Sequence, residues 1–226
     1  DTSLHPLLKR NESVKRILLV LITSDRGLAG GFNTNILRKT KEWMKSIGDQ
    51  VDIQTICIGK RGADVMKRMN VPIMASFFDI TNKTTFEEVL PIGRMVLDEF
   101  KKGSFERVLV AYTDFVSPIT QTPVILELLP LGDSQEPVQK QTFLFEPSPE
   151  LVLERMLPRL VETMIYQALL ESAASEHSAR MLAMRNASDS AGEMLEDLTF
   201  TFNQARQAGI TQEIAEISSG KAALEG

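Results

Sequence analysis

The stretch from Pro149 to Ser219 constrains this chain more than any other. It reads as one helix, with Pro158, Gly192 and Gly209 as its only interior breakers. Between Met181 and Ala205, apolar or small residues recur at alternating steps of three and four: Met181, Met184, Ser188, Ala191, Leu195, Leu198, Phe202 and Ala205. That spacing is a heptad seam, the mark of a helix lying along another helix. At a rise of 1.5 Å per residue, ~70 residues span roughly 105 Å. The ~145 residues that precede it make a globule with a radius of gyration of only about 15 Å. Such a body cannot cover such a rod, so the expectation is that most of the helix is clothed by another chain segment.

Charge divides the chain in the same place. Residues 1–145 carry 19 Lys/Arg against 17 Asp/Glu, whereas residues 146–226 carry 6 against 13. The acidic rod argues against a nucleic-acid partner and for a basic helix lying along it. The single cysteine, Cys57, excludes an internal disulfide and fits a reducing compartment. No apolar run approaches the ~20 residues of a membrane span. The chain opens at Asp1 without a methionine, and is expected to be part of a longer one.

Residues 1–16 are polar and read as a connector. From 17 to 146 the pattern alternates between strands and helices. The continuous apolar run Arg16–Thr23 has the signature of a strand buried on both faces. A glycine-rich turn follows, then an amphipathic helix over Thr34–Ile47. Further strands are expected at Val51–Ile58, Val71–Phe78, Arg107–Thr113 and Thr122–Leu131. Helices are expected at Lys60–Met69 and Phe86–Phe100. This order predicts an α/β, Rossmann-like, mostly parallel sheet with flanking helices and a final antiparallel edge. Gln141–Glu146 reads as a brief extended piece. Pro147 and Pro149 mark the start of a long helical segment, 147–226.

Chemistry-bearing motifs are sparse. Gly27-Leu-Ala-Gly30-Gly31 joins a buried strand to a helix, the context in which dinucleotide folds bind pyrophosphate. Its spacing is not Gly-x-Gly-x-x-Gly, and a structural turn explains the glycines better. Lys60 and Lys221 each follow a glycine, but neither sits in a phosphate-binding loop. His5 and His177 are far apart and without cysteine companions, so no metal site is expected. No catalytic nucleophile–base pair stands out, and no cofactor is expected. The polar string Arg206-Gln-Ala-Gly-Ile-Thr211-Gln-Glu213 reads as a contact surface rather than a solvated tip. Two rival readings remain: a nucleotide- or dinucleotide-binding enzyme on the α/β part, and a coiled-coil tethering protein.

Three segments carry a resemblance. Ile22-Thr-Ser-Asp-Arg-Gly-Leu-Ala-Gly-Gly-Phe-Asn33, Ser175-Glu-His-Ser-Ala-Arg-Met-Leu-Ala-Met-Arg-Asn-Ala187 and Ala205-Arg-Gln-Ala-Gly-Ile-Thr-Gln-Glu-Ile-Ala-Glu-Ile-Ser-Ser-Gly220 resemble, in order, signature segments of the gamma subunit of F-type ATP synthases. The resemblance implies a central rotor shaft without an active site. It implies an α/β foot on the ring of c subunits beside the epsilon subunit, and a coiled coil inside the ring of alpha and beta subunits. It places Arg180, Arg206, Gln207, Thr211 and Glu213 against the beta subunits. Phe143 and Phe145 fall in the foot segment near the c ring and epsilon. The seam Met181, Met184, Ala191, Leu195, Leu198, Phe202 and Ala205 becomes one side of an antiparallel coiled coil whose other, N-terminal and basic, helix is not in this sequence. It further implies a peripheral location on the cytoplasmic face of a bacterial inner membrane, with no membrane span of its own.

Overall fold

The computed structural model describes residues 5–11, 13–48, 50–82, 84–132 and 148–224. Five strands and four helices are named in chain order: β1 (Arg16–Ile22), α1 (Phe32–Ile47), β2 (Asp52–Ile58), α2 (Lys60–Arg68), β3 (Ile73–Phe77), α3 (Phe86–Lys101), β4 (Arg107–Phe115), β5 (Gln121–Leu129) and α4 (Pro149–Leu224). The sheet order is β3-β2-β1-β4-β5. β1 lies parallel to β2, from Arg16 opposite Asp52 to Ile22 opposite Ile58, and parallel to β4 on its other side. β5 returns antiparallel along β4 as the edge. The sheet is thus mostly parallel with one antiparallel edge and flanking helices, as the alternation of elements implied.

The central position of β1 explains its composition. Ile17 to Ile22 are all buried, because successive side chains enter two different cores. Leu18, Val20 and Ile22 face a core shared with α3 and the first part of α4, through Val89, Ile92, Val161 and Ile165. Ile17, Leu19 and Leu21 face the other core, with Ile36 of α1 and Met66 of α2. Two crossovers run one way from β1 and the third runs back, so α1 and α2 share one face and α3 takes the other.

One close approach fixes the α2 side. A Cβ on Gly59, whose φ is +96°, would lie 2.1 Å from the carbonyl oxygen of Thr23. Only glycine permits β1 and the start of α2 to meet there.

Residues read as a polar connector carry an anchored turn. Pro6–Leu8 form one turn of 3₁₀ helix, and Leu7 is fully buried in the α3/α4 core. The Leu131 amide donates to the Leu7 carbonyl at 2.8 Å. His5 caps the turn, with its Nδ1 accepting from the Leu7 amide at 3.2 Å. Burial first, and then the Lys101 charge, holds the His5 pKa below the usual histidine range, against the pull of Glu154.

α4 runs through Pro158 without ending and continues past Ser219 to Leu224. The chain divides into two compact units inside this helix, Asp1–Met181 and Leu182–Gly226. In the first unit, α4 buries Leu157, Val161, Ile165, Leu169 and Ala173. Arg159 stacks 4.0 Å from the centre of the Phe86 ring, which meets Tyr166 edge-on at 5.4 Å. So the body covers one face of the first part of the helix itself, while Met156, Leu160, Leu170 and Met181 remain exposed on it. In the second unit almost every described residue is exposed.

Candidate partner-binding surface

The turn after β1 is built by its own polar residues. The Thr23 hydroxyl donates to the Ile58 carbonyl at 3.2 Å and accepts from the Gly62 amide at 2.9 Å. Asn33 accepts from the Ser24 amide at 3.0 Å, and its Nδ2 donates to the Ser24 hydroxyl at 2.6 Å. One oxygen of Asp25 accepts from the Lys60 amide and the other from the Asp79 amide, both at 2.9 Å. Thr23, Ser24, Asp25 and Asn33 thereby tie β1 to α1, α2 and the loop after β3. At the crest, Leu28 has a φ of +62° and is 79% exposed.

In open α/β sheets, ligands bind beyond the carboxyl ends of the strands, where the winding reverses. Here the reversal lies between β1 and β4, just below this turn. That crevice is filled by the chain's own helix. Ala179 of α4 packs with Ala29 of the turn and Phe32 at the start of α1. The Ser175 hydroxyl donates to the Thr113 carbonyl of β4 at 3.1 Å. Arg180 Nη2 lies 3.5 Å from the Gly27 carbonyl and pairs at 2.7 Å with Glu176, which is 5% exposed. Ser172, Ser175 and Ala179 are small residues on one side of α4, and this is what allows the helix to approach the sheet closely. Just beside it, burial and then the carboxylates of Glu171 and Asp114 push the Tyr112 phenol up to about 12, so it stays neutral.

Two of the three signature segments therefore meet: the turn after β1 and the helical segment starting at Ser175. This pairing was not legible from the sequence. Its trace there is the row of small residues at 172, 175 and 179, which marks close approach without naming the neighbour.

The remaining sequence-derived residues fall as follows. Arg180 lies in the first compact unit, 27% exposed at its side chain and held by Glu176 and Gly27. Arg206, Gln207, Thr211 and Glu213 lie in the second unit and are exposed. Their side chains make no hydrogen bond or ion pair with another described residue. Along the seam, Met181, Met184, Leu195, Leu198 and Phe202 are 62%, 43%, 66%, 61% and 67% exposed, and Ala191 and Ala205 are exposed too. Phe143 and Phe145 lie outside the described residues. His177 is exposed on α4, and His5 is taken by its capping bond. Cys57 is buried, and burial raises its thiol pKa despite a weak bond to Thr55.

A family model described as ATP synthase matches residues 1–224. The ATP synthase gamma chain of Dehalococcoides mccartyi is 42% identical over 222 residues, which is 98% of this chain and 77% of that one. The gamma chain of Heliobacterium modesticaldum is 43% identical over 229 residues, 97% of this chain and 78% of that one. The chain belongs to the ATP synthase gamma-chain family. Among solved structures, the central stalk and c-ring of the Tetrahymena thermophila mitochondrial ATP synthase contains a similar chain. Its TM-score is 0.63 at 26% identity, covering 80% of each chain. The Euglena gracilis mitochondrial ATP synthase in rotational state 3 contains another, with a TM-score of 0.71 at 20% identity, covering 96% of this chain and 77% of that one. The gamma-chain fold thus comprises both the five-stranded sheet and α4. No helix among the described residues is long and apolar enough to cross a membrane.

Proposed function

We propose that this gamma chain is the central rotating shaft of a proton-driven ATP synthase. It couples rotation of the c ring to conformational change in the catalytic beta subunits, and it has no active site of its own. In this reading residues 1–16 lead in and residues 17–146 form the foot. Residues 147–226 carry the shaft. The foot meets the c ring and the epsilon subunit, with Phe143 and Phe145 on that side. The exposed stripe from Met181 to Ala205 is the dry face of an antiparallel coiled coil with a basic helix. Arg206, Gln207, Thr211, Glu213 and, at the base, Arg180 face the beta subunits. The complex sits on the cytoplasmic face of a bacterial inner membrane, with this chain peripheral to it.

The observation that carries the reading is the seating of α4 in the switch-point crevice. A nucleotide-binding enzyme built on this sheet would need that crevice open. Here Ser175, Glu176, Ala179 and Arg180 fill it. Together with the core that α4 shares with β1 and α3, these contacts hold the helix against the sheet within the first compact unit. A hydrogen bond to a charged group contributes about 1.5–3 kcal/mol. Arg206→Ala and Gln207→Ala should therefore leave the melting of the isolated chain unchanged, and should lower the ATPase rate or the assembly of a complex with alpha, beta and epsilon subunits. Unaltered turnover in the assembled complex would remove these two residues from the mechanism. A tethering coiled coil predicts instead that the seam pairs with its own copy and that no alpha or beta subunit co-purifies.

A further inference from the structure

The α1–α2 layer has a property that the shaft reading does not use. The two helices carry eight Lys/Arg (Arg38, Lys39, Lys41, Lys45, Lys60, Arg61, Lys67 and Arg68) against only Glu42 and Asp64, and all of them are exposed. Elsewhere in residues 1–145 the balance is the reverse, because these eight are a large part of the 19 basic residues there. The charges are concentrated on one face of the sheet, the face opposite α3 and α4.

A groove runs between the two helices. At one end it opens into a cleft of about 280 Å³ bounded by Leu37 of α1, Arg61, Val65 and Arg68 of α2, and the glycine turn. At the other end it opens into a cleft of about 360 Å³ bounded by Lys41, Met44 and Lys45 of α1, Met69, and the strand ends near Val71. The floor is apolar, and Leu37, Met44, Val65 and Met69 are each only partly covered by the core beneath. The walls are cationic: Lys41 and Lys45 on one side, Arg61 and Arg68 on the other. Arg68 Nε donates to the Asp64 carbonyl at 3.2 Å, one turn back along α2. Two exposed carboxylates also line the groove, Asp64 of α2 in the first cleft and Asp52 of β2 in the second, against four Lys and Arg.

We propose that the α1–α2 groove docks an acidic, amphipathic segment of another protein chain, its apolar side chains on the Leu37–Met44–Val65–Met69 floor and its carboxylates on the flanking Lys and Arg. The charge selects the partner's sign, since cations on both walls, without ion-pair partners among the described residues, repel a basic segment and attract an acidic one. The apolar floor selects an amphipathic protein segment over a lipid surface. A headgroup layer meets a flat basic face, whereas an interhelical groove with partly covered Leu, Val and Met takes side chains at helical spacing. Arginine on one wall adds bidentate capture of carboxylates.

The test uses the complex in which the chain resides, and rests on the shaft reading only for the choice of that complex. Co-purification is established first, so its failure is seen separately. A carbodiimide joins a lysine amine to a carboxylate only when the two are in contact. Treating the assembled complex and mapping the products by mass spectrometry should link Lys41 or Lys45 to an Asp or Glu of a different subunit. The double variants Lys41→Glu/Lys45→Glu and Arg61→Glu/Arg68→Glu should lose that link and weaken retention of the same subunit by about tenfold or more at 0.15 M salt. Both sit on exposed helix surfaces, and circular dichroism of the purified chain checks that they fold. Three results would overturn the proposal. The groove lysines could give no link to another subunit while Lys9 and Lys15 react normally. They could link only to a second copy of this chain. Or the variants could keep every subunit while losing binding to phosphatidylglycerol vesicles, which would assign the patch to a membrane surface.

Discussion

Phe32 and Phe202 are the same residue type in opposite surroundings, and replacing each with alanine separates the two halves of the account. Phe32 is 5% exposed and lies between Ala29 of the turn and Ala179 of α4, inside the switch-point crevice. Its neighbours are small and held by the sheet, so they cannot collapse into the space it leaves. Buried Phe→Ala changes cost about 3–5 kcal/mol, and the satellite position of this cluster puts Phe32→Ala near the lower end, about 3 kcal/mol. For a body of this size that is a fall in Tm of roughly 6–12 °C. The local consequence is more specific. The helical amides of 172–181 should exchange about 100-fold faster, because every 1.4 kcal/mol is a factor of ten in the opening equilibrium. Phe202 is 67% exposed, so Phe202→Ala should change the melting of the isolated chain by less than about 0.5 kcal/mol. In the assembled complex the order should change, with Phe202→Ala weakening the coiled coil. Scanning calorimetry and hydrogen exchange measure both variants. If Phe32→Ala costs under about 1 kcal/mol, or leaves exchange over 172–181 unchanged, the crevice does not hold α4.

Two further outcomes are expected. The His5 imidazole is held below its usual pKa by burial and serves as an acceptor only when neutral. The unfolded chain therefore takes up the proton first: the stability from this turn is complete above about pH 6.5 and is lost as the pH falls through the folded value. His5→Asn, which keeps an acceptor without the titration, should flatten the change in Tm between pH 7.5 and 5.5, and an unchanged slope would clear His5 of this role. For the seam, adding a basic amphipathic helix as a separate peptide should raise helicity and slow exchange over residues 184–205. Full protection there in the monomeric chain alone would contradict the need for a cover.

Much of the sheet was legible because burial on both faces leaves an unmistakable trace: Arg16–Ile22 is an apolar run with no alternation, and the turn residues after it are glycines. Helix ends were less legible. α1 starts at Phe32, two residues before the amphipathic pattern becomes visible, because Gly31 and the Asn33 side chain organise the first turn. Leu7 was hidden by its polar neighbours, since one docked apolar residue makes no period. The helix passes through Pro158 because a proline removes one hydrogen bond, and the burial of Leu157 and Val161 on either side outweighs it. The seam was visible as a heptad, but a heptad states that a partner exists without naming it. The seating of α4 between β1 and β4 was invisible, because small residues at 172, 175 and 179 fit many neighbours equally well. The polar string from Arg206 to Glu213 stood out for its composition, yet the Arg206, Gln207, Thr211 and Glu213 side chains bond to nothing else among the described residues.

The central claim is mechanical, and rotation tests it most directly. A complex immobilised by its head, with a bead attached to this chain through a Lys39→Cys substitution on the exposed surface of α1, is supplied with ATP. The native Cys57 is buried and does not compete for the label. The account predicts that the bead turns continuously in one direction while ATP is hydrolysed, and that Arg206→Ala or Gln207→Ala slows the turning. A complex that hydrolyses ATP at full rate while the labelled chain stands still would contradict it.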